Sequence, residues 1–257
     1  MTIKRQWIAF MTILRKEVVR FLRIWKQTLL PPVINQFLYF IIFGAFIGSQ
    51  IRDIDGISYM AFIVPGLVMM GVINSSFMNV VSSFFGAKFQ NNIEELLVSP
   101  TSVPLIIAGY VMGGALRGLI VGVLVFFVSI AFTSPVIFNG GLILLFSFLT
   151  AILFALGGLL NGIFAQSFDD IGLFTTFILT PLTYFGGVFY SIHDLPEFWQ
   201  IVSRFNPILY MVNGFRYGFY GVTDVNVWIS VSILCGFVLL LGTLNYVLIK
   251  RGIGLRS

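Results

Sequence analysis

The stretch from residue 84 to residue 110, FFGAKFQNNIEELLVSPTSVPLIIAGY, decides how the rest of the chain is read. It is a long polar break between two strongly apolar runs. Lys88, Gln90, Asn91, Asn92, Glu94 and Glu95 come in quick succession, then Pro100 and Pro104, before the chain turns apolar again at Leu105. The runs on either side are each long enough to cross a bilayer as a helix. Composition agrees with that reading. Of 257 residues, 58% are hydrophobic and 10% charged, and 29 are phenylalanine, whereas an ordinary soluble domain carries roughly 25% charged residues. The chain is predicted to be an all-α polytopic membrane protein, a single transmembrane unit over residues 1–257 with no repeat, low-complexity segment or soluble domain.

A bilayer core takes about 20 apolar residues per helix. Six stretches reach that length, at 29–48, 59–83, 105–132, 142–164, 171–189 and 228–249. An even number of spans places both termini on one side. The net charge of +5 says which side, because seven of the fifteen basic residues precede Leu29. With the tail at 250–257 (Lys250, Arg251, Arg256) and Lys88, eleven basic residues fall on that side, against Arg52, Arg204 and Arg216 on the other, and Arg117 lies within a span. The positive-inside rule makes the richer side cytoplasmic, so 84–104 is a cytoplasmic loop. The basic excess is thus a topology and membrane-surface signal, and no nucleic-acid partner is expected.

Residues 3–26 are predicted to form an amphipathic helix on the membrane surface, within a leader at 1–28. At 100° per residue Ile3, Trp7, Phe10, Met11, Leu14, Val18, Phe21, Leu22 and Trp25 gather on one face, and Arg5, Arg15, Lys16, Arg20, Arg23 and Lys26 spread over the rest. Tryptophans at both ends with a basic polar face describe an interfacial helix; the plainer alternative is a basic leader that only fixes topology. No small-residue cleavage pattern of a signal peptide follows it.

The external connection at 190–227 is long and apolar for a solvated loop, and its local grammar is helical. Pro196 followed by Glu197 suits a helix start, and Asn206 can cap a second helix that opens at Pro207. Two short helices, about 196–205 and 207–220, are expected as a re-entrant pair packed on the other spans. A surface loop with incidental aromatics is the alternative.

The chemistry narrows the function. All ten acidic residues lie outside the predicted spans, which counts against an ion-coupled secondary transporter, although backbone carbonyls can also bind Na⁺. The sequence holds no G-x-x-x-x-G-K-[ST] phosphate loop, no Cys/His metal spacing, one cysteine (Cys235) and one histidine (His193). It is not expected to be an enzyme or to bind a cofactor itself. Arg117, near mid-span, must find protein acceptors or water, as a structural anchor or as part of a substrate path. Asn74, Phe77, Thr183, Tyr184 and Phe185 suit a path for an amphipathic substrate, or simple helix packing.

The loop KFQNNIEELLVSP, the Pro65-Gly66-Leu67 step, and the run from Gly186-Gly187 through Leu195-Pro196 and Trp199 to Asn206-Pro207, Tyr210 and Gly214-Phe215-Arg216 together resemble the type-2 ABC exporter permeases over essentially the whole chain. The resemblance implies a connecting helix at the N-terminus (Trp7, Arg15, Lys16, Arg20, Trp25), a coupling helix between spans two and three (Lys88, Glu94, Glu95, Leu96, Pro100), and re-entrant helices between spans five and six (Pro196, Trp199, Asn206, Pro207, Tyr210, Arg216). Where the family often carries Glu-x-Gly-Thr, this chain has Gln90-Asn91-Asn92-Ile93. The resemblance further implies a homodimer in a bacterial inner membrane, surrounded by lipid, with separate ATPase subunits that hold the ATP and Mg²⁺. An ion-coupled transporter or channel working without an ATPase, or a membrane scaffold, is the alternative.

Overall fold

The computed structural model describes residues 3–51, 53–54 and 56–255, with the side chains of Ile3, Ala45 and Ser49 left aside. Arg52, Asp55 and Arg256, counted above among the charges, lie outside the described residues.

The chain opens on α1 (Ile3–Arg23), whose last turn carries Arg20 and Arg23 where cations suit the negative end of the helix dipole. A bend at Ile24 leads into the single turn α2 (Trp25–Thr28) and then α3 (Leu30–Tyr39), which has prolines in its first turn, where no backbone N–H is missed. The helix continues into a widened π-type segment, Phe40–Ile47, and ends in a 3₁₀ turn, Gly48–Gln50. α4 (Tyr59–Phe89) is capped by the Ser58 hydroxyl, which accepts from the Ala61 N–H. α5 (Asn92–Val98) follows a left-handed Asn91, α6 (Val103–Ser129) has Pro104 in its first turn, and α7 (Gly140–Phe164) is capped by Asn139. α8 (Phe168–Phe174) starts in a capping box of Ser167 and Asp170 and passes through a π-type segment, Thr175–Leu179, into α9 (Thr180–Tyr184). After another 3₁₀ turn come α10 (Glu197–Arg204), α11 (Pro207–Tyr220) and α12 (Val227–Arg251).

Four of these helices, α4, α6, α7 and α12, are long and apolar enough to cross a membrane. The expected first and fifth spans are helical, but each is interrupted by a π-type segment rather than forming one unbroken α-helix. In the fifth the interruption lies just before Pro181, whose ring clashes with the carbonyl four residues earlier and whose nitrogen cannot donate to it. The break at 84–110 is shorter than its composition suggests. α4 runs on to Phe89 and α6 begins at Val103, leaving α5 and two short links between them.

α4 is the axis of the bundle. Its 31 residues span about 46 Å at 1.5 Å per residue, and most of it is buried by α6, α7, α3 and α11, with a half-exposed stripe at Asn74, Met78, Ser82 and Gly86. Missing side chains permit this closeness. Gly118 of α6 sits where a Cβ would lie 2.9 Å from the Val72 carbonyl oxygen, and Gly158 of α7 sits against the backbone of Phe77. In a bilayer, where lipid competes equally for apolar contact, such close backbone approach is a main source of helix association.

α10 and α11 form as the sequence predicts, and α11 packs on α7, α12 and α4. Asn206 caps α11 by accepting from the Ile208 N–H and donates from its amide to the Leu182 carbonyl at 2.6 Å, tying α11 to α9. Arg216 is buried, with its guanidinium 3.7 Å from the centroid of the Phe62 ring and a hydrogen bond of 2.7 Å to the Gly187 carbonyl. Asp224 accepts from the Ser191 hydroxyl and the Ile192 N–H, and its own N–H donates to Asn213, closing the loop beyond α11.

Candidate functional site

At one end of the bundle α1 lies along α6, and α5 hangs below the junction of α4 and α6. The contact between α1 and α6 rests on glycine. Ile13 and Glu17, one turn apart, sit over Gly109 and Gly113, with no room for a Cβ at either. Glu17 has no exposed surface. One carboxylate oxygen accepts from the Ser83 hydroxyl of α4, and the other accepts from Arg20 at 3.1 Å. Arg20 donates in turn to the backbone and side-chain oxygens of Asn79, both at 2.9 Å. Further along, Arg117 of α6 donates to the Thr28 carbonyl at 2.8 Å, and the Thr28 hydroxyl donates to the Phe21 carbonyl. A charged network thus fastens the surface helix to two of the long helices, and each ion in it has partners, as burial requires.

The predicted apolar face of α1 is divided by this packing. Phe21 faces the protein together with Ile13, which the sequence reading did not include, while Trp7, Met11, Leu22 and Trp25 remain exposed. Arg15 and Lys16 also face outward, and the Lys16 ammonium lies 5.8 Å from the centroid of Tyr110. α1 therefore has one side for the bundle and another for its surroundings. Glu17 is the residue that sequence reasoning missed. Its signal was available in the i, i+3 spacing to Arg20 and in its place as the sole acid on a basic helix.

α5 is pinned by Ile93, which is buried in the cluster of Phe84, Ile106 and Tyr110. Glu94, Glu95 and Pro100 are exposed, Val98 is 86% exposed, and Leu96 is half-buried. The first turn of α5 holds both carboxylates, the sign of charge that suits a helix N-terminus. Asn91 opens the element at φ +59°, a conformation that asparagine tolerates better than most residues with a Cβ.

Lys88, grouped with the exposed coupling residues on sequence grounds, is placed differently. It is buried in the last turn of α4, and its ammonium donates to the carbonyls of Ile163 and Ala165 at 2.9 and 2.8 Å. It caps the end of α7 from within the chain. Lys88→Met should leave both carbonyls short of a donor and cost about 2 kcal/mol, read as a lower thermal midpoint of the purified protein.

The candidate path residues are only partly gathered. Phe77 stacks on Phe174 with ring centroids 5.4 Å apart, and the Tyr184 and Tyr39 hydroxyls are 2.9 Å apart. Phe185 stacks on Trp199 at 5.2 Å, and the Tyr210 hydroxyl donates to the Arg204 carbonyl. Asn74 and Thr183 donate to carbonyls of their own helical segments, Met70 and Leu179. Arg117 lies apart from these, on the side of α6 that meets α1 and α3. At the start of α8 the backbone N–H groups of Gln166 and Ser167 donate to the Asp170 carboxylate at 2.8 and 3.0 Å. Among the described residues no group of three or more His, Cys, Asp or Glu side chains is placed to hold a metal.

A bundle of long apolar helices, with a short exposed helix and a basic helix packed at one end, describes a membrane component. Comparison with known proteins gives its class: residues 8–220 match the family model described as ABC-2 type transporter, and the chain belongs to that family. It is 57% identical over 251 residues to the inner membrane transport permease YadH of Escherichia coli K12, covering 98% of each chain. It is 25% identical over 256 residues to nodulation protein J of Rhizobium meliloti, covering 95% of this chain and 93% of the relative.

Proposed function

We propose that this chain is the membrane-spanning permease subunit of an ATP-binding-cassette exporter in a bacterial inner membrane. It would act as a homodimer, with six spans and both termini cytoplasmic, and with a separate ATPase subunit docked on each copy. Family membership supports the ATPase partner, and the two broken helical stretches at 30–50 and 168–184 supply the first and fifth spans alongside the four long helices. ATP and Mg²⁺ belong to the ATPase subunits in this reading. The substrate is amphipathic, a drug, lipid or glycolipid, in keeping with the aromatic pairs Phe77–Phe174 and Phe185–Trp199 beside polar Asn74, Thr183 and Tyr184.

The observation that carries the reading is the pairing of an exposed, acidic α5 with a rigidly fastened α1. Movement imposed on α5 reaches α4 and α6 through Ile93, and movement of α1 reaches the same helices through Glu17, Arg20 and Arg117. Glu94→Ala with Glu95→Ala should weaken co-purification of the ATPase subunit several-fold and lower substrate-stimulated ATP hydrolysis. The double variant itself should fold normally, because both side chains are exposed. Undiminished binding and coupling in that variant would remove α5's carboxylates from the docking surface.

A further inference from the structure

At the end of the bundle where α5 lies, the last turn of α4 and the end of α7 leave a pocket of about 610 Å³, lined by Phe85, Lys88, Phe89, Asn91, Phe164 and Gln166 among others. The chain beyond α12 forms one edge. Gly254, at φ +72°, sits where a Cβ would lie 2.9 Å from the Ile163 carbonyl oxygen, and Leu255 after it is buried.

The lining describes its occupant. Lys88 is the one charged side chain on the wall among the described residues, and it is only 8% exposed. An ammonium has three N–H groups, and two of them go to the Ile163 and Ala165 carbonyls. Those carbonyls carry only the partial charge of a helix end, and no carboxylate lines the pocket, so one donor and most of the positive charge are left for an occupant. Asn91 and Gln166 add side-chain amides, and that of Asn91 does not cap α5. A buried cation with amides around it calls for an oxyanion. Beside this polar centre stand Phe89 and Phe164, 63% and 56% exposed, which suit an anion with an apolar stem. The volume is that of a small-molecule site, roughly 300–1,000 Å³, far more than one protein carboxylate fills. Depth gives the source. α4 is about as long as a bilayer with its headgroups is thick, roughly 40–45 Å, so its last turn, which carries Lys88, lies at the level of headgroup phosphates.

We propose that this pocket holds the phosphate of an anionic membrane phospholipid, bound by the Lys88 ammonium and the Asn91 and Gln166 amides, with Phe89 and Phe164 against the glycerol and first methylenes. A zwitterionic lipid fits less well, because its ammonium meets no carboxylate there. The site requires only that the bundle is embedded in a bilayer, and it stands whether or not an ATPase drives the protein. Native mass spectrometry of the full chain, released from detergent micelles containing phosphatidylglycerol or phosphatidylcholine with the same acyl chains, counts the lipids retained per copy. One phosphatidylglycerol should be held several-fold more strongly than phosphatidylcholine. Lys88→Met should abolish that preference. Gln166→Glu sets a carboxylate on the wall at an exposed position and leaves both Lys88 bonds in place, so it should lower the preference several-fold with a thermal midpoint near the parent's, and it reads the site even where Lys88→Met folds poorly. Arg15→Ala with Arg23→Ala, on the exposed basic side of α1, should keep the preference. Equal retention of the two lipids, a preference unchanged in Gln166→Glu, or one lost in the α1 variant would overturn the site. Displacement by an equal concentration of inorganic phosphate would make the ligand a soluble anion and overturn the lipid. Displacement by one equivalent of the partner ATPase subunit would give the pocket to that subunit and overturn the lipid as well.

Discussion

Replacing Gly158 by leucine should cost the protein its folded state, whereas the same replacement at Gly157 should be tolerated. The two glycines are neighbours on α7 and face the same residue of α4, yet they meet different parts of it. A Cβ at Gly158 falls against the carbonyl oxygen, carbonyl carbon and Cα of Phe77, all backbone and unable to yield without moving α4. At Gly157 it would make only ordinary contact with the Phe77 ring. Overpacking a well-filled core typically costs roughly 1–3 kcal/mol. Forcing apart the two helices at the axis of the bundle belongs at or above the top of that range, because α4 also carries the contacts of α6, α3 and α11. Gly157→Leu replaces the poorest non-proline helix former with a good one. Thermal unfolding of the purified variants should therefore show Gly158→Leu poorly recovered or strongly destabilised, and Gly157→Leu near the parent. Equal behaviour of the pair would mean that α7 does not lie on α4 in this register.

Glu17→Ala should separate docking from transport. The carboxylate links α1 to α4 through Ser83 and braces Arg20, which itself reaches Asn79, so its removal loosens the contact of α1 with α4 at Ser83 while leaving α5 untouched. Hydrogen bonds to charged groups are worth about 1.5–3 kcal/mol. Arg20 is partly solvated, with 29% of its side chain exposed, and keeps its bonds to Asn79, so a loss near 2 kcal/mol is expected rather than the full cost of a broken buried pair. The ATPase subunit should still co-purify, while transport per ATP hydrolysed should fall. Glu17→Gln, which can still accept from Ser83, should lose less. A double-mutant cycle between Glu17 and Asn79 should show a coupling energy, since the two meet through Arg20; strict additivity would deny the network.

Much of this architecture was legible in the residues, for physical reasons that differ from element to element. Long apolar runs admit few alternatives, so α4, α6, α7 and α12 could be placed from composition alone, with ends shifted by up to six residues. Pro207 after a capping Asn206 is equally local, and α11 starts where that pair predicts. The first and fifth helical stretches were harder, because a widened turn depends on prolines and packing together and leaves hydropathy unchanged. Lys88 reads as a loop charge until the end of α7, 75 residues away, is folded against it. Glu17 shows the deeper limit. Periodicity reveals that α1 has an apolar stripe, but Ile13 and Glu17 turn inward because Gly109 and Gly113 of a distant helix leave a groove for them.

The most direct test of the ATP-driven reading is transport by the reconstituted pair. The chain and its partner P-loop ATPase subunit, inserted together into liposomes, should move an amphipathic substrate only with ATP and Mg²⁺, and vanadate should stop it. Transport by this chain alone on an ion gradient, indifferent to ATP and vanadate, would contradict the assignment.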